Sequence, residues 1–275
     1  MRRSTGWLRH HRLLAFFVLT YAISWASWPA YASGLIPRME FLPIGPLAAA
    51  IIVIALAEGR PGFRDWGRRL IRWRVGWVWY AVALLLPVVL VLVTGLITMA
   101  LGASAPGLAQ LTWSGLLTVF AVRLVNPMDG PLGEEPGFRG YALPLLQASR
   151  PPLLSAAILG VLVALWHLPL VLFGGLSLIG LPTTFAITFL YVWLFNRTGG
   201  SVLLTLLFHN SQGTFTTGSF GFTGAGAGAD RAELIYFGVV VLAVLATVAL
   251  DRRAWRKAPR PATAVGRFSF RRRPM

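Results

Sequence analysis

Residues 77–101 read WVWYAVALLLPVVLVLVTGLITMAL, an apolar run without a single charged side chain. An α-helix needs about 20 such residues to cross a hydrocarbon core roughly 30 Å thick. The rest of the chain agrees with this run, because 56% of its 275 residues are hydrophobic and only 12% are charged. The sequence therefore predicts a helical protein solvated by lipid, and it excludes a water-soluble domain of ordinary composition.

Further apolar stretches flank this run, and together they predict about eight membrane crossings. The predicted spans are Leu13–Trp28, Phe41–Leu56, Trp77–Leu101, Leu111–Val125, Leu153–Phe173, Leu181–Phe195, Val202–Thr217 and Leu234–Leu250. A ninth helix over roughly residues 131–146 could continue the fourth span, re-enter the membrane or lie at the interface. We predict one membrane domain over residues 1–275, an all-α polytopic helix bundle.

The net charge of +16 comes from arginines that cluster outside the predicted spans. The clusters lie in residues 2–12, 60–74 and 252–273, and an even number of crossings puts all three on one face. Arg123, Arg139, Arg150 and Arg197 fall on the same face. By the positive-inside rule that face is cytoplasmic and holds both termini, with 251–275 as a basic tail. We expect these arginines to contact anionic lipid headgroups and not nucleic acid. Arginine outnumbers lysine 24 to 1, which favours a GC-rich bacterial genome and a bacterial cytoplasmic membrane.

Residues 126–131, Asn-Pro-Met-Asp-Gly-Pro, interrupt the helical pattern. Proline cannot continue a helix and restricts the residue before it, so a new helix is predicted to begin near Pro131. Asp129 is the expected N-cap of that helix. Glu134 and Glu135 then fall in the first turn, where the helix dipole favours negative charge. The chain has no cysteine, which excludes disulfides and thiolate chemistry.

Charged groups in or beside membrane spans are costly, so each one needs a partner or a function. The notable ionisable residues are Glu134, Glu135, Arg139, His167 and His209. Glu135 and Arg139 are four residues apart on one helix face, which predicts an ion pair. Glu134 points about 100° away and is left without an evident partner. We expect the carboxylates and histidines to turn inward and form one site.

The segment Glu134-Glu135-Pro136-Gly137-Phe138-Arg139-Gly140-Tyr141 resembles the Glu-Glu-x-x-x-Arg motif of the CPBP intramembrane proteases. That family includes type II CAAX prenyl proteases and bacterial bacteriocin-processing and immunity (Abi-type) proteins. The resemblance extends over roughly residues 133–213, with two histidines on later spans in the family's order. Two positions depart from it: Val163 replaces a common Phe four residues before His167, and Gly213 replaces a common Asn four residues after His209.

The resemblance implies a glutamic endopeptidase with a protease-like core over about residues 111–250 and no cofactor. Glu134 would activate a water with the help of His167, and His209 would stabilise the oxyanion. Glu135 and Arg139 would hold the helix and tune the base. Asn210 or Gln212 could supply the amide that is missing at Gly213.

Two other classes of function stay open at this point. Glu134, His167 and His209 would also form a zinc set, although the common His-Glu-x-x-His helix is absent. A noncatalytic scaffold or immunity protein, or a proton-coupled transporter, could bury the same groups. The expected substrate of an enzyme is a peptide or membrane-protein segment, and the sequence leaves the role of prenylation open.

Overall fold

The computed structural model describes residues 8–103, 112–173, 175–221 and 227–256, excluding the side chains of 227–229. All regular structure in these ranges is helical, which confirms the predicted all-α class. The helices are α1 Arg12–Ser24, α2 Trp28–Ala32, α3 Gly45–Ala57, α4 Gly59–Leu70, α5 Trp77–Ala100, α6 Trp113–Val125, α7 Pro131–Gly137, a π-helical turn Phe138–Ala142, α8 Leu143–Gln147, α9 Pro152–Trp166, α10 Leu168–Leu172, α11 Gly180–Arg197, α12 Val202–Thr214, α13 Ala227–Leu250 and α14 Arg252–Arg256.

Within the described ranges, two helices are long and apolar enough to cross a membrane, namely α5 and the Asp230–Leu250 part of α13. Four shorter apolar helices accompany them: α1, α3, α6 and α9. Large apolar side chains lie exposed on several of these helices, including Leu56, Leu96, Leu117 and Leu242. Such outward apolar surface is what lipid covers in a helical membrane protein.

Helix α4 is missing from the sequence prediction, which placed the arginine-rich residues 60–74 between two spans and assigned them no helix. Its apolar and basic residues occupy opposite faces, and the buried face contains Gly62 and Trp66. A search for continuous apolar runs cannot detect such an amphipathic helix. The helix supports the segment that carries the carboxylates, because Trp66 Nε1 donates to Pro136 O at 2.8 Å and Arg69 Nε donates to Gly140 O at 3.0 Å.

Helix α7 begins after Gly130, whose φ of +71° suits glycine. The prediction of Asp129 as N-cap is wrong, since Gly130 takes that position without a side-chain cap. The Asp129 carboxylate instead accepts a hydrogen bond from Arg123 at 2.6 Å. The first turn of α7 contains Glu134, as predicted, whereas Glu135 lies beyond that turn, so the prediction for Glu135 is wrong.

Two glycines of α7 allow the helix to lie directly against the backbone at the start of α3. A Cβ atom at Gly137 would overlap the carbonyl oxygen of Pro46, and one at Gly133 would lie 2.6 Å from Pro43 O. The π-helical turn follows at once and adds a residue to one turn, a feature frequent at functional sites. The contact between α7 and the start of α3 fixes where the carboxylates of α7 lie relative to the remaining helices.

The predicted span Leu153–Phe173 is not one helix, because α9 ends at Trp166 and α10 begins at Leu168. Pro169 has no N–H to donate to the preceding turn, and its ring disfavours a continuous helix there. His167 therefore sits at the C-terminal end of α9 and not in the middle of a span. Its position in the break frees the imidazole to face the bundle interior.

The core consists of two hydrophobic clusters on either side of α11 and α12. One cluster includes the buried aromatic residues Phe16, Phe138 and Trp166, and the second includes Leu190 and Phe208. The start of the predicted basic tail is folded as α14, where Trp255 is buried against the first cluster. Residues 257–275 of that tail lie outside the described residues.

We predict that Gly137→Ala strongly destabilises the protein, because the added methyl meets the Pro46 backbone and not a flexible side chain. Overpacking of this kind costs about 1–3 kcal/mol or more. The control is Gly67→Ala in α4, where a Cβ has no neighbour within 4 Å and should be neutral or slightly stabilising. Thermal unfolding of both variants in detergent measures the difference, and equal melting temperatures would contradict this account of the packing.

Candidate active site

Four helical elements contribute polar side chains to one region of the bundle. Helix α7 provides Glu134 and Glu135, the π-helical turn provides Arg139, the end of α9 provides His167, and α12 provides His209. The structure thus brings together all five residues singled out in the sequence. Their arrangement divides into a hydrogen-bonded part around Glu135 and an open part around Glu134.

Glu135 is fully buried, and its Oε1 atom accepts two hydrogen bonds. Arg139 Nη1 donates to it at 2.9 Å, which confirms the predicted ion pair, and His209 Nδ1 donates at 2.9 Å. The Arg139 guanidinium also lies over the Tyr191 ring, with Cζ 4.0 Å from the ring centroid. A buried carboxylate needs such partners to offset its lost hydration, so Glu135 has a structural role.

Hydrogen bonds fix the orientation of both imidazole rings. His167 Nδ1 lies 2.8 Å from Val163 O, and His209 Nδ1 lies 2.9 Å from the Glu135 carboxylate. Both partners are acceptors, so each Nδ1 carries a proton. The Nε2 atom of each neutral ring is then an acceptor, and this is the atom available for proton transfer.

Glu134 is only 6% exposed, yet its carboxylate accepts no hydrogen bond from any residue that the structure describes. It faces a small polar cavity of about 60 Å³, enough for a few water molecules. The cavity is lined by Glu134, Arg139, Val163, His167, Thr184, Ile187, Thr188, Tyr191, His209 and Gln212. A buried carboxylate without a protein partner in a polar cavity implies that water hydrates it.

Helix α11, which the sequence analysis did not single out, forms part of the cavity wall. Thr184, Thr188 and Tyr191 recur at helical spacing in an apolar segment, so they share one face. The polar positions in the predicted span Leu181–Phe195 were the signal that could have revealed this wall. Tyr191 contributes both its ring to Arg139 and its hydroxyl, which donates to Gln212 Oε1 at 2.5 Å.

The two candidates for the missing amide differ in position. Gln212 lines the cavity, whereas Asn210 does not and is fully buried. Asn210 Nδ2 donates to Phe120 O at 3.0 Å, so this side chain holds α12 against α6. Of the two, Gln212 alone reaches the cavity.

Among the residues that the structure describes, no group of three or more His, Asp or Glu side chains forms a set that could hold a metal ion. The alternative zinc set of Glu134, His167 and His209 is thus not assembled in this conformation. The metal-independent assignment of the reaction stays a prediction.

These features define a helical protein with a buried Glu-His-Arg site built around a cavity that can hold a few water molecules. Residues 112–213, somewhat more than a third of the chain, match the family described as Rce1-like, type II CAAX prenyl endopeptidase Rce1-like. This match supports the resemblance that the Glu-Glu-x-x-x-Arg motif indicated. No curated protein matches the chain.

We predict that Glu135→Ala destabilises the protein by about 3–5 kcal/mol, because it leaves the buried Arg139 guanidinium without its counterion. The matched control is Glu40→Ala, which removes the carboxylate of an exposed pair with Arg38 at 3.6 Å. That variant should change stability by about 0.5 kcal/mol or less. Chemical unfolding in detergent compares the two, and a small effect of both would contradict the structural role of Glu135.

Proposed function

We propose that this protein is an intramembrane endopeptidase in which Glu134 activates a water for attack on a peptide carbonyl. The observation that supports this most is the Glu134 carboxylate itself, which is buried, has no protein partner and faces the polar cavity. A carboxylate kept free in this way can accept a proton from a bound water. Glu135, by contrast, is occupied by Arg139 and His209.

In the proposed reaction the water oxygen bonds to the carbonyl carbon as its proton passes to Glu134. His167 assists, since its Nε2 lone pair is free and the ring lines the same cavity. When the tetrahedral intermediate collapses, the C–N bond breaks and Glu134 returns the proton to the leaving nitrogen. Glu135 and Arg139 hold helix α7 and the His209 ring in position.

His209 is the proposed stabiliser of the oxyanion, and the structure sets a condition on that role. Its Nδ1 proton is directed at Glu135, so Nε2 can donate a hydrogen bond only when the ring carries both protons. The protonated ring would form an ion pair with the same carboxylate. Gln212 is a weaker auxiliary candidate, because its side-chain oxygen already accepts from Tyr191.

For the membrane, we propose a multi-pass arrangement with about eight crossings and both termini in the cytoplasm. The long helices α5 and α13, the shorter apolar helices and the exposed leucines on them support it. The basic face of α4 suits anionic headgroups at the cytoplasmic surface. The arginine-rich composition favours a bacterial cytoplasmic membrane.

The proposed substrate is a peptide or membrane-protein segment that reaches the cavity from the lipid side. The description of the matched family names a prenyl endopeptidase, so a lipid-modified peptide ending in a CAAX sequence is the first substrate to test. The same peptide without the lipid is its comparison, because faster cleavage of the prenylated form would define a lipid requirement.

We predict that Glu134→Ala abolishes hydrolysis of a farnesylated, quenched fluorogenic CAAX peptide in detergent micelles. Loss of a general base lowers the rate by about 10²–10⁴-fold. Melting temperature should not fall, because the Glu134 side chain makes no hydrogen bond in the described structure. Glu40→Ala is the control for removal of a carboxylate at an exposed position. Full activity of Glu134→Ala would overturn the assignment, and a wild-type protein without activity would favour a noncatalytic scaffold or transporter.

We also predict that strong chelators leave the hydrolysis rate unchanged, because the proposed reaction uses side chains alone. The purified protein is incubated with EDTA or 1,10-phenanthroline, and peptide release is followed. A thermolysin sample treated in parallel shows that the chelators work. Loss of activity that added Zn²⁺ restores would contradict the metal-independent mechanism.

A further inference from the structure

Arg123 lies beside the proposed active site, although its position in the sequence grouped it with the basic residues of one membrane face. It is near the C-terminal end of α6, and its side chain is 15% exposed. Nη1 donates to Asp129 Oδ1 at 2.6 Å, whereas Nη2 has no hydrogen-bond acceptor among the described residues. One arm of the guanidinium is therefore available for another group.

Arg123 Nη2 lies close to two atoms of the proposed site, Glu134 Oε1 and His209 Nε2. The position that a Cβ on Gly130 would occupy lies 3.5 Å from Arg123 Nη2, 3.4 Å from Glu134 Oε1 and 3.3 Å from His209 Nε2. All three atoms thus surround one point next to the Gly130 backbone. An arginine N–H, a carboxylate oxygen and an imidazole nitrogen meet there without a bulky side chain between them.

The guanidinium occupies this position because residue 213 is glycine. A Cβ at Gly213 would lie 2.6 Å from Arg123 Cζ and would overlap Nη2. Position 213 follows His209 by one helical turn, so any side chain there would project over the same face of α12. The Arg123 side chain fills the space that such a side chain would take.

Neither histidine provides the cavity with an N–H donor that is always protonated. Both Nδ1 protons are committed to acceptors, so the neutral rings present only lone pairs at Nε2. An arginine stays protonated, and its planar fork can bind one anion with Nη2 while Nη1 binds another. A developing oxyanion near Glu134 and His209 would therefore find its donor on Arg123.

We propose that Arg123 is a catalytic residue that donates a hydrogen bond from Nη2 to the oxyanion of the tetrahedral intermediate. The inference rests on the proposed function and adds a residue to it. Asp129 holds Nη1 and orients the guanidinium, while the absence of a side chain at Gly213 allows the guanidinium to reach the site. In this chain the amide absent from position 213 is replaced by a charge from a different helix.

The first test compares Arg123→Ala with Asp129→Asn in hydrolysis of the farnesylated fluorogenic peptide. Loss of one oxyanion donor lowers kcat by about 10²–10³-fold, with KM little changed because the donor acts on the transition state. Asp129→Asn keeps the guanidinium and an amide oxygen that can accept from Nη1, so its loss of kcat should be smaller than that of Arg123→Ala. Equal losses in both variants, or a loss confined to KM, would show that the ion pair only stabilises the fold and would overturn the proposal.

The second test places a hydrogen-bond donor on α12, at position 213, in place of the Arg123 guanidinium on α6. Gly213→Asn alone should lose activity, because its side chain collides with the guanidinium. The double variant Arg123→Ala/Gly213→Asn removes that collision and places an amide one turn after His209, so it should recover part of the lost kcat. A double variant no more active than Arg123→Ala, although folded by its melting temperature, would count against the replacement of one donor by the other.

A binding measurement separates failure of this inference from failure of the proposed function. A phosphonate analogue of the same peptide carries a tetrahedral anion at the position of the cleaved bond. Wild type should bind it more tightly than an uncleaved amide peptide, and Arg123→Ala should lose this preference. If Glu134→Ala is inactive but Arg123→Ala behaves as wild type, the Arg123 role alone is wrong. If wild type neither cleaves the peptide nor prefers the phosphonate, both the Arg123 role and the proposed function are wrong.

Discussion

The arrangement of the site depends on one buried carboxylate, that of Glu135. Its Oε1 atom joins three elements, since it accepts from Arg139 in the π-helical turn and from His209 on α12 while belonging to α7. Charged groups removed from water must be paired, because an unpaired ion in a low-dielectric interior costs several kcal/mol. The fold meets this requirement in a region where Gly137 brings α7 directly against the start of α3. The close packing of α7 against α3 positions Glu135 for its two hydrogen bonds, and those hydrogen bonds in turn hold α7 in place.

Glu135 and Glu134 differ in their contacts, because Glu135 binds Arg139 and His209 whereas Glu134 has no hydrogen-bond partner among the described residues. Adjacent residues on a helix point in different directions, so one carboxylate can hold the structure while its neighbour faces the cavity. Glu134 lies in the first turn of α7, where the helix dipole favours a negative charge without a specific cation. Arg123, on another helix, adds a positive charge whose one free arm points toward the same place. The site therefore combines one carboxylate that has no hydrogen-bond partner within the part of the chain that the structure describes with cationic donors that other carboxylates hold in place.

The sequence predicted those parts of the fold and site that arise from local spacing. Apolar runs predicted α5 closely, and the four-residue separation of Glu135 and Arg139 predicted their ion pair. Helix α4 was missed because its amphipathic pattern has no continuous apolar run, and the break at His167 was missed although Pro169 signals it. The position of Arg123 depends on how α6 packs against α12, which no local pattern specifies. The signal available in the sequence was the charge of Arg123, which is the third residue from the C-terminal end of an apolar helix.

The central claim, hydrolysis by a water that Glu134 activates, is tested most directly by mass spectrometry of membranes incubated in ¹⁸O-labelled water. Membranes with the wild-type protein are compared with membranes that contain an equal amount of Glu134→Ala. The account predicts new peptide C termini that carry solvent oxygen in the wild-type membranes and are absent with the variant. The same labelled C termini in both samples, or none in either, would contradict it.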